Sequence, residues 1–216
     1  MDKIIIIGGG AAGIAAAIAA AECGKKAVIY EKNEKLGKKL YITGKGRCNV
    51  TNNCDMDQLF AGVVTKKSFL YRAFYGFTNT DIMELLEDAG CPLKTERGGR
   101  VFPVSDKSSD VLSALSKRLR ALDVDIRLNE GVKELWLEEG ALKGVILERG
   151  AKKEAASAVI VATGGLSYPT TGSTGDGYRF AKEAGHSVTG TIPALVPFTP
   201  EGTVVKDLRG LAPRKG

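Results

Sequence analysis

Lys3-Ile-Ile-Ile-Ile-Gly-Gly-Gly-Ala-Ala-Gly13 decides the reading of this chain. Lys3 to Ile7 is a β-branched run suited to a buried central strand. Gly8, Gly10 and Gly13 follow it in the spacing G-x-G-x-x-G, with Ala11 and Ala12 between the last two. An alanine-rich stretch to about Cys23 reads as a helix closed by Gly24, and Ala27 to Tyr30 reads as a second strand ending in Glu31. In such a unit the first glycine makes a tight turn, the second lets the backbone approach a pyrophosphate, and the third lets the helix pack close to the sheet. The helix N-terminus offers free N–H groups and a positive dipole end. Glu31, 18 residues after Gly13, stands where a carboxylate accepts a hydrogen bond from a ribose 2′-OH, and it would repel a 2′-phosphate.

Working outward, Ile4 to Ala21 is 18 residues without a charge, long enough to be mistaken for a membrane span. The glycines at 8 to 10 break it, and a buried parallel strand accounts for the same residues, so no membrane partner is expected. Glycine is in excess, 27 of 216 residues, about 12.5% against a typical ~7%, and no Gly/Ser filler absorbs it. Cys23, Cys48, Cys54 and Cys91 have no C-x-x-C spacing, and His186 is the single histidine. No metal site and no dithiol redox pair is therefore expected, and the cysteines read as reduced thiols of a cytoplasmic protein.

Lys35 to Asn52 is polar, aperiodic and punctuated by Gly37, Gly44 and Gly46. It reads as a long loop wrapped around a ligand larger than NAD. From Lys25 to Arg47 seven Lys and one Arg face only Glu31 and Glu34, an excess of +6 that equals the net charge of the whole chain. Such a cluster beside an anionic pyrophosphate is electrostatically sensible. The bias is local rather than spread along a helix face, so nucleic acid is set aside as a partner.

Further along, Asp57 to Phe77 and Thr80 to Ala89 read as helices, the second opened by Thr80. Leu93 to Glu96 reads as a short strand, Ser108 to Ala121 as a helix, and Asp125 to Leu128 as a return to the parallel sheet. Val132 to Leu137 and Leu142 to Leu147 read as a hairpin across a Glu-Gly turn, Ala158 to Ala162 as a strand, and Gly177 to Ala184 as a helix. Thr163, Gly164 and Gly165 lie just past the end of a strand, where open α/β sheets place ligands. Arg100 reads equally as a contact for a substrate anion and as the partner of a surface carboxylate. Cys48 reads as a packing residue, and His186 follows a helix end.

GGGAAG, GKKLYITGKGRCNVTN, GRVFPVSDKSSDV and VIVATGGLSYPTTGSTGDGYRFAKEAGH together resemble the BaiN/YhiN-like FAD-dependent oxidoreductases, from Lys3 to about Gly210. The resemblance implies an α/β, Rossmann-like FAD-binding domain of the glutathione-reductase type, with a parallel sheet, helices and a hairpin or meander crossover. It implies FAD as cofactor, hydride transfer through flavin N5, NAD(P)H as a possible donor and a small organic substrate. One activity assigned in the family is reduction of carbon–carbon double bonds in bile-acid intermediates. The cofactor-binding residues expected are Gly8, Gly10, Ala11, Ala12, Gly13, Glu31, Lys32, Lys39, Thr43, Gly44, Gly46, Arg47, Cys48, Asn49, Val132, Ala162, Thr163 and Gly164. Lys39 and Arg47 are expected to place positive charge near the flavin. No catalytic side chain and no oligomeric state is assigned. An FAD-dependent RNA-modifying enzyme and a flavin-binding module without turnover remain as other readings. Family members run to about twice this length, so residues 1–190 are expected to be the FAD domain and 191–216 the start of a truncated, inserted substrate domain. Such a fragment is expected to leave an open sheet edge and an exposed apolar patch.

Overall fold

The computed structural model describes residues 3–192. Its centre is a four-stranded parallel sheet built from β1 (Lys3–Ile7), β2 (Lys26–Glu31), β5 (Asp125–Leu128) and β9 (Ala158–Val161), in the order β5-β2-β1-β9. The alternation of side chains along a strand sorts the apolar run into two cores. Ile6 and Ile29 point to one face, where they meet Ile14, Ala17 and Ile18 of α1 (Ala11–Glu22) and Val111, Leu115 and Leu119 of α6 (Ser108–Ala121). Ile5, Ile7, Val28 and Tyr30 point to the other, against Val132, Val145, Leu147 and Phe180. Burial on both faces is why β1 and β2 read as continuous apolar strands.

The second face is covered by an antiparallel meander of β6 (Val132–Glu138), β7 (Ala141–Leu147) and β8 (Lys153–Ala155), which carries the chain from β5 to β9. Its first turn is Glu139-Gly140, with φ of 51° and 75°, the left-handed pair a two-residue hairpin demands. This is the expected crossover with one more strand, β8, than the sequence reading assigned. Helix α7 (Asp176–Glu183) follows β9 and buries Phe180. β9 forms an edge of the parallel sheet, and its Ile160 and Val161 are 37% and 42% exposed. The expected inserted domain falls outside the described residues from 193 onward.

Three local expectations need correction. The stretch read as a loop from Lys35 contains α2 (Lys38–Ile42), capped from afar: Ser108 Oγ donates to Tyr41 O at 2.7 Å. The single helix read over 57–77 is two, α3 (Met56–Ala61) and α4 (Lys67–Gly76). The break at Gly62-Val-Val-Thr65 is a glycine and three β-branched residues, all poor helix formers. Finally α5 (Asn79–Asp88) is opened by Thr78 rather than Thr80. Thr78 Oγ1 accepts from the Asp81 amide at 3.1 Å while the Asp81 carboxylate accepts from the Thr78 amide at 2.6 Å, a reciprocal cap. Between α5 and α6 lies a small hairpin of β3 (Leu93–Thr95) and β4 (Val101–Pro103).

Candidate functional site

At the C-terminal end of β1 the chain must turn between two neighbouring strands. Gly8 N donates to Tyr30 O and Ala162 N donates to Ile7 O, both at 2.8 Å. A Cβ on Gly8, whose φ is 105°, would sit 2.6 Å from Ala162 O, and one on Gly13 would run into the carbonyl oxygen of Gly8. These two glycines are required by the fold itself. Gly10 is not: its φ is −80°, and a Cβ built there would meet nothing within 4 Å. The space it leaves belongs to a cleft of 1330 Å³, larger than the ~300–1,000 Å³ of most small-molecule pockets. Gly10 is the N-cap of α1, and neither a side-chain cap nor an acidic residue occupies that helix's first turn. Its partial positive charge therefore faces the cleft without compensation from the helix's own side chains.

Glu31 ends β2 and is 7% exposed. Its Oε2 accepts from Gly9 N at 2.6 Å, and its Oε1 accepts from Asn33 N at 2.8 Å and Asn33 Nδ2 at 2.6 Å. The carboxylate thus pins the glycine turn as well as lining the cleft. Gly9 and Asn33 also line it and were not named from the sequence. Asn33, two residues past the acid, had a signal in the tendency of Asn to bond nearby backbone and side chains.

The opposite wall comes from the end of β9. Thr163 Oγ1 is buried and lacks a hydrogen-bond partner among the described residues, which is costly unless a further group satisfies it. The segment after it reaches back across the cleft. Lys39 Nζ donates to Ser173 Oγ at 2.6 Å, and Lys32 Nζ donates to Asp176 Oδ2 at 2.7 Å and to Thr174 Oγ1 at 2.8 Å. Burial pushes the Asp176 carboxyl up, but the Lys32 ammonium and the Thr174 hydroxyl outweigh it and hold the group below its ordinary range. Lys39 has no carboxylate partner among the described residues, so its charge remains directed at the cleft.

Of the residues anticipated, Gly8, Gly10, Ala11, Ala12, Glu31, Lys32, Lys39, Thr43, Cys48, Asn49, Val132, Ala162, Thr163 and Gly164 line this one cleft. Gly13, Gly44, Gly46 and Arg47 are not part of its lining, although Thr43, Cys48 and Asn49 of the same loop are. The Arg47 guanidinium pairs with Glu96 and Asp106 and stacks on Phe102 with 4.1 Å to the ring centre. Arg100 is outside the cleft, its Nε donating to Arg97 O at 3.3 Å. Burial pushes the Cys48 thiol up, an effect the Thr43 hydrogen bond only partly offsets, so Cys48 is a poor nucleophile. Among the described residues no group of three or more His, Cys, Asp or Glu is placed to hold a metal, and no helix is long and apolar enough to cross a membrane.

The residues present fit a dinucleotide cofactor. The opening at Gly10, the bare N-terminus of α1, Thr163 with its unpartnered hydroxyl, and Lys39 all border the same cleft.

Comparison with known proteins agrees with this architecture. Residues 2–207 match the family described as HI0933-like protein Rossmann domain. The chain is 36% identical over 198 residues to a 3-dehydro-bile acid delta(4,6)-reductase of Clostridium scindens, covering 91% of this chain and 47% of that protein. It is 29% identical over 208 residues to a ribosomal RNA dihydrouridine synthase of Escherichia coli, covering 96% and 50%. A flavocytochrome c3 fumarate reductase in its open conformation superimposes with a TM-score of 0.59 at 25% identity, over 85% of this chain and 40% of that one. The chain spans about half the length of the curated relatives it matches. It belongs to the HI0933-like Rossmann-domain family.

Proposed function

We propose that this chain supplies the FAD-binding half of an oxidoreductase that takes electrons from NAD(P)H and reduces a small unsaturated organic substrate. The observation that carries the reading is Gly10. The fold needs glycine at 8 and 13 for its own packing, whereas at 10 the missing side chain serves only the cleft. The first-turn N–H groups of α1 then hold the pyrophosphate, Glu31 accepts from the adenosine ribose, and Thr163 finds the partner it lacks. When bound, FAD supplies hydride chemistry at N5. Lys39 contributes a cation whose field favours a reduced, anionic cofactor, and Cys48, kept as a thiol by burial, stays out of the chemistry.

The carbon–carbon double bond as target follows from the likeness to the bile-acid reductase. The likeness to a ribosomal RNA dihydrouridine synthase supports a second reading, an FAD-dependent reduction of a nucleobase, and it removes the ground for setting nucleic acid aside. The two are separated by binding: steep salt-dependent RNA affinity favours the second, and its absence the first. The reading as a whole is tested by the visible spectrum of the purified chain, followed by anaerobic titration with NADH and NADPH. Flavin bands that bleach with one nucleotide support it. A colourless protein that takes up no added FAD overturns it.

A further inference from the structure

The loop that walls the cleft is conformationally expensive. Gly44, Lys45, Gly46 and Cys48 all have left-handed backbone, with φ of 58°, 59°, 84° and 60°. Lys45 and Cys48 carry side chains that disfavour that region. Backbone bonds close its far end, Arg47 N to Gly44 O at 3.3 Å and Cys48 N to Thr43 O at 3.0 Å. Beyond these it draws support from outside the loop.

Arg47 provides it. Its Nε donates to Asp106 Oδ1 at 2.8 Å, its terminal nitrogens reach Glu96 and Asp106, and its plane lies over the buried Phe102. Lys94 completes the group, 2.7 Å from Asp106, so two cations face two carboxylates and the cluster is neutral. Just beyond the loop, Val50 N donates to Val101 O at 2.9 Å and Val101 N donates to Thr51 O at 3.0 Å, so the chain leaves the loop already paired with β4. With its amide nitrogen facing them, Asn49 also reaches Thr51 O and Val101 O at 3.2 and 3.3 Å. Pairing begins at Asn49, and Arg47 is what ties the strained part before it.

We propose that Arg47 is a positioning residue that acts from behind the cleft. It clamps the 43–49 loop to the β3–β4 hairpin so that Thr43, Cys48 and Asn49 form a fixed wall for the cofactor. This replaces the expectation that Arg47 tunes the flavin by its charge, because that charge is already neutralised by Glu96 and Asp106. The planar, bidentate fork and the stack on Phe102 make arginine specific here; lysine would keep the charge and lose both. The clamp itself follows from the loop geometry, and only what the wall holds rests on the flavin reading.

The test uses two readouts on the 216-residue chain. The first needs no cofactor: the rate at which a thiol reagent labels Cys48, followed by peptide mass spectrometry, with the equally buried Cys91 as internal control. Arg47→Ala should speed Cys48 labelling by about tenfold or more through local opening while leaving Cys91 slow. Arg47→Lys should fall between, and Glu96→Gln with Asp106→Asn should reproduce the Arg47→Ala result. The second readout is FAD titration with visible circular dichroism of the bound flavin. Arg47→Ala should weaken binding about tenfold, the loss of a charge-assisted hydrogen bond, and alter the dichroism, with the reduction potential of the remaining bound flavin unchanged. Unaltered Cys48 labelling in Arg47→Ala overturns the clamp. Equal acceleration at Cys48 and Cys91 in Arg47→Ala and also in Arg47→Lys overturns it too, since the effect would then be general unfolding. Faster Cys48 labelling with unchanged FAD affinity and dichroism overturns the positioning role. Failure of the unsubstituted chain to bind FAD, with Cys48 still released by Arg47→Ala, overturns the flavin reading and leaves the clamp standing.

Discussion

The Glu31 carboxylate accepts the Gly9 amide at 2.6 Å across the end of the sheet, so the acid that ends β2 also holds the glycine turn that ends β1. Its other oxygen is held by Asn33. Glu31→Gln keeps one acceptor oxygen and should weaken FAD binding less than Glu31→Ala, which should cost about 1.5–3 kcal/mol, the range for a hydrogen bond to a charged group. Isothermal titration with FAD checks the order. Equal affinity in all three proteins would remove Glu31 from the site.

The glycines divide into two kinds, and stability should divide them too. A Cβ at 13 collides with the carbonyl of Gly8, so Gly13→Ala should lower the unfolding free energy by about 1–3 kcal/mol through overpacking. A Cβ at 10 meets nothing, and the backbone there is extended. Gly10→Ala should cost less than about 1 kcal/mol, the usual loss at an N-cap. Urea unfolding of the apoprotein measures both, and a larger loss at 10 than at 13 would contradict the packing account.

How much of this was legible in the sequence depended on how local its cause was. β1, α1 and β2 could be read because double-sided burial writes an unbroken apolar run, and the glycines carry their own spacing. The 132–147 hairpin could be read because its two-residue Glu-Gly turn is a local signal. By contrast α2 is only five residues long and is held by Ser108, 67 positions away. Such a helix has no stability of its own to announce. The same distance in sequence hid the partners of Arg47, since Glu96 and Asp106 lie 49 and 59 residues further on. Charge composition pointed equally to Lys39 and Arg47; Lys39 lines the cleft, whereas the charge of Arg47 is cancelled by Glu96 and Asp106. The Thr78 cap was missed because Thr80 offered a competing hydroxyl two residues later.

Lys39 is the cation without a carboxylate partner at the cleft, among the described residues. Lys39→Ala should lower the two-electron reduction potential of bound FAD, on the order of 30 mV for each ~1.4 kcal/mol of lost stabilisation of the reduced form. Spectroelectrochemical titration reads this directly. Lys39→Arg should leave the potential near its original value, and an unchanged potential in Lys39→Ala would count against a role for its charge.

Acid should loosen the clamp behind the wall. The Arg47 guanidinium holds the Glu96 carboxyl below its ordinary range, and the Lys94 ammonium with Arg47 does the same for Asp106. A carboxyl whose value is lowered on folding stabilises the fold above its unfolded value and loses that contribution as pH falls through the folded one. The loop should therefore open only as pH drops below about 4, the ordinary carboxylate range. Amide hydrogen exchange of residues 43–49, corrected for intrinsic rates, should stay constant from pH 7 to 5 and rise only below about pH 4. Loss of protection already at pH 6 would point to some other group.

Whether FAD lies in the space at Gly10 is tested most directly by equilibrium FAD titration of the unsubstituted chain against Gly10→Val, at matched thermal stability. Flavin bands and saturable binding are expected in the first and none in the second, with melting temperatures of the two apoproteins within a few degrees, as expected for a change of about 1 kcal/mol or less. Binding of equal strength in Gly10→Val would contradict this placement, because the cofactor would then have to lie elsewhere than along the first turn of α1.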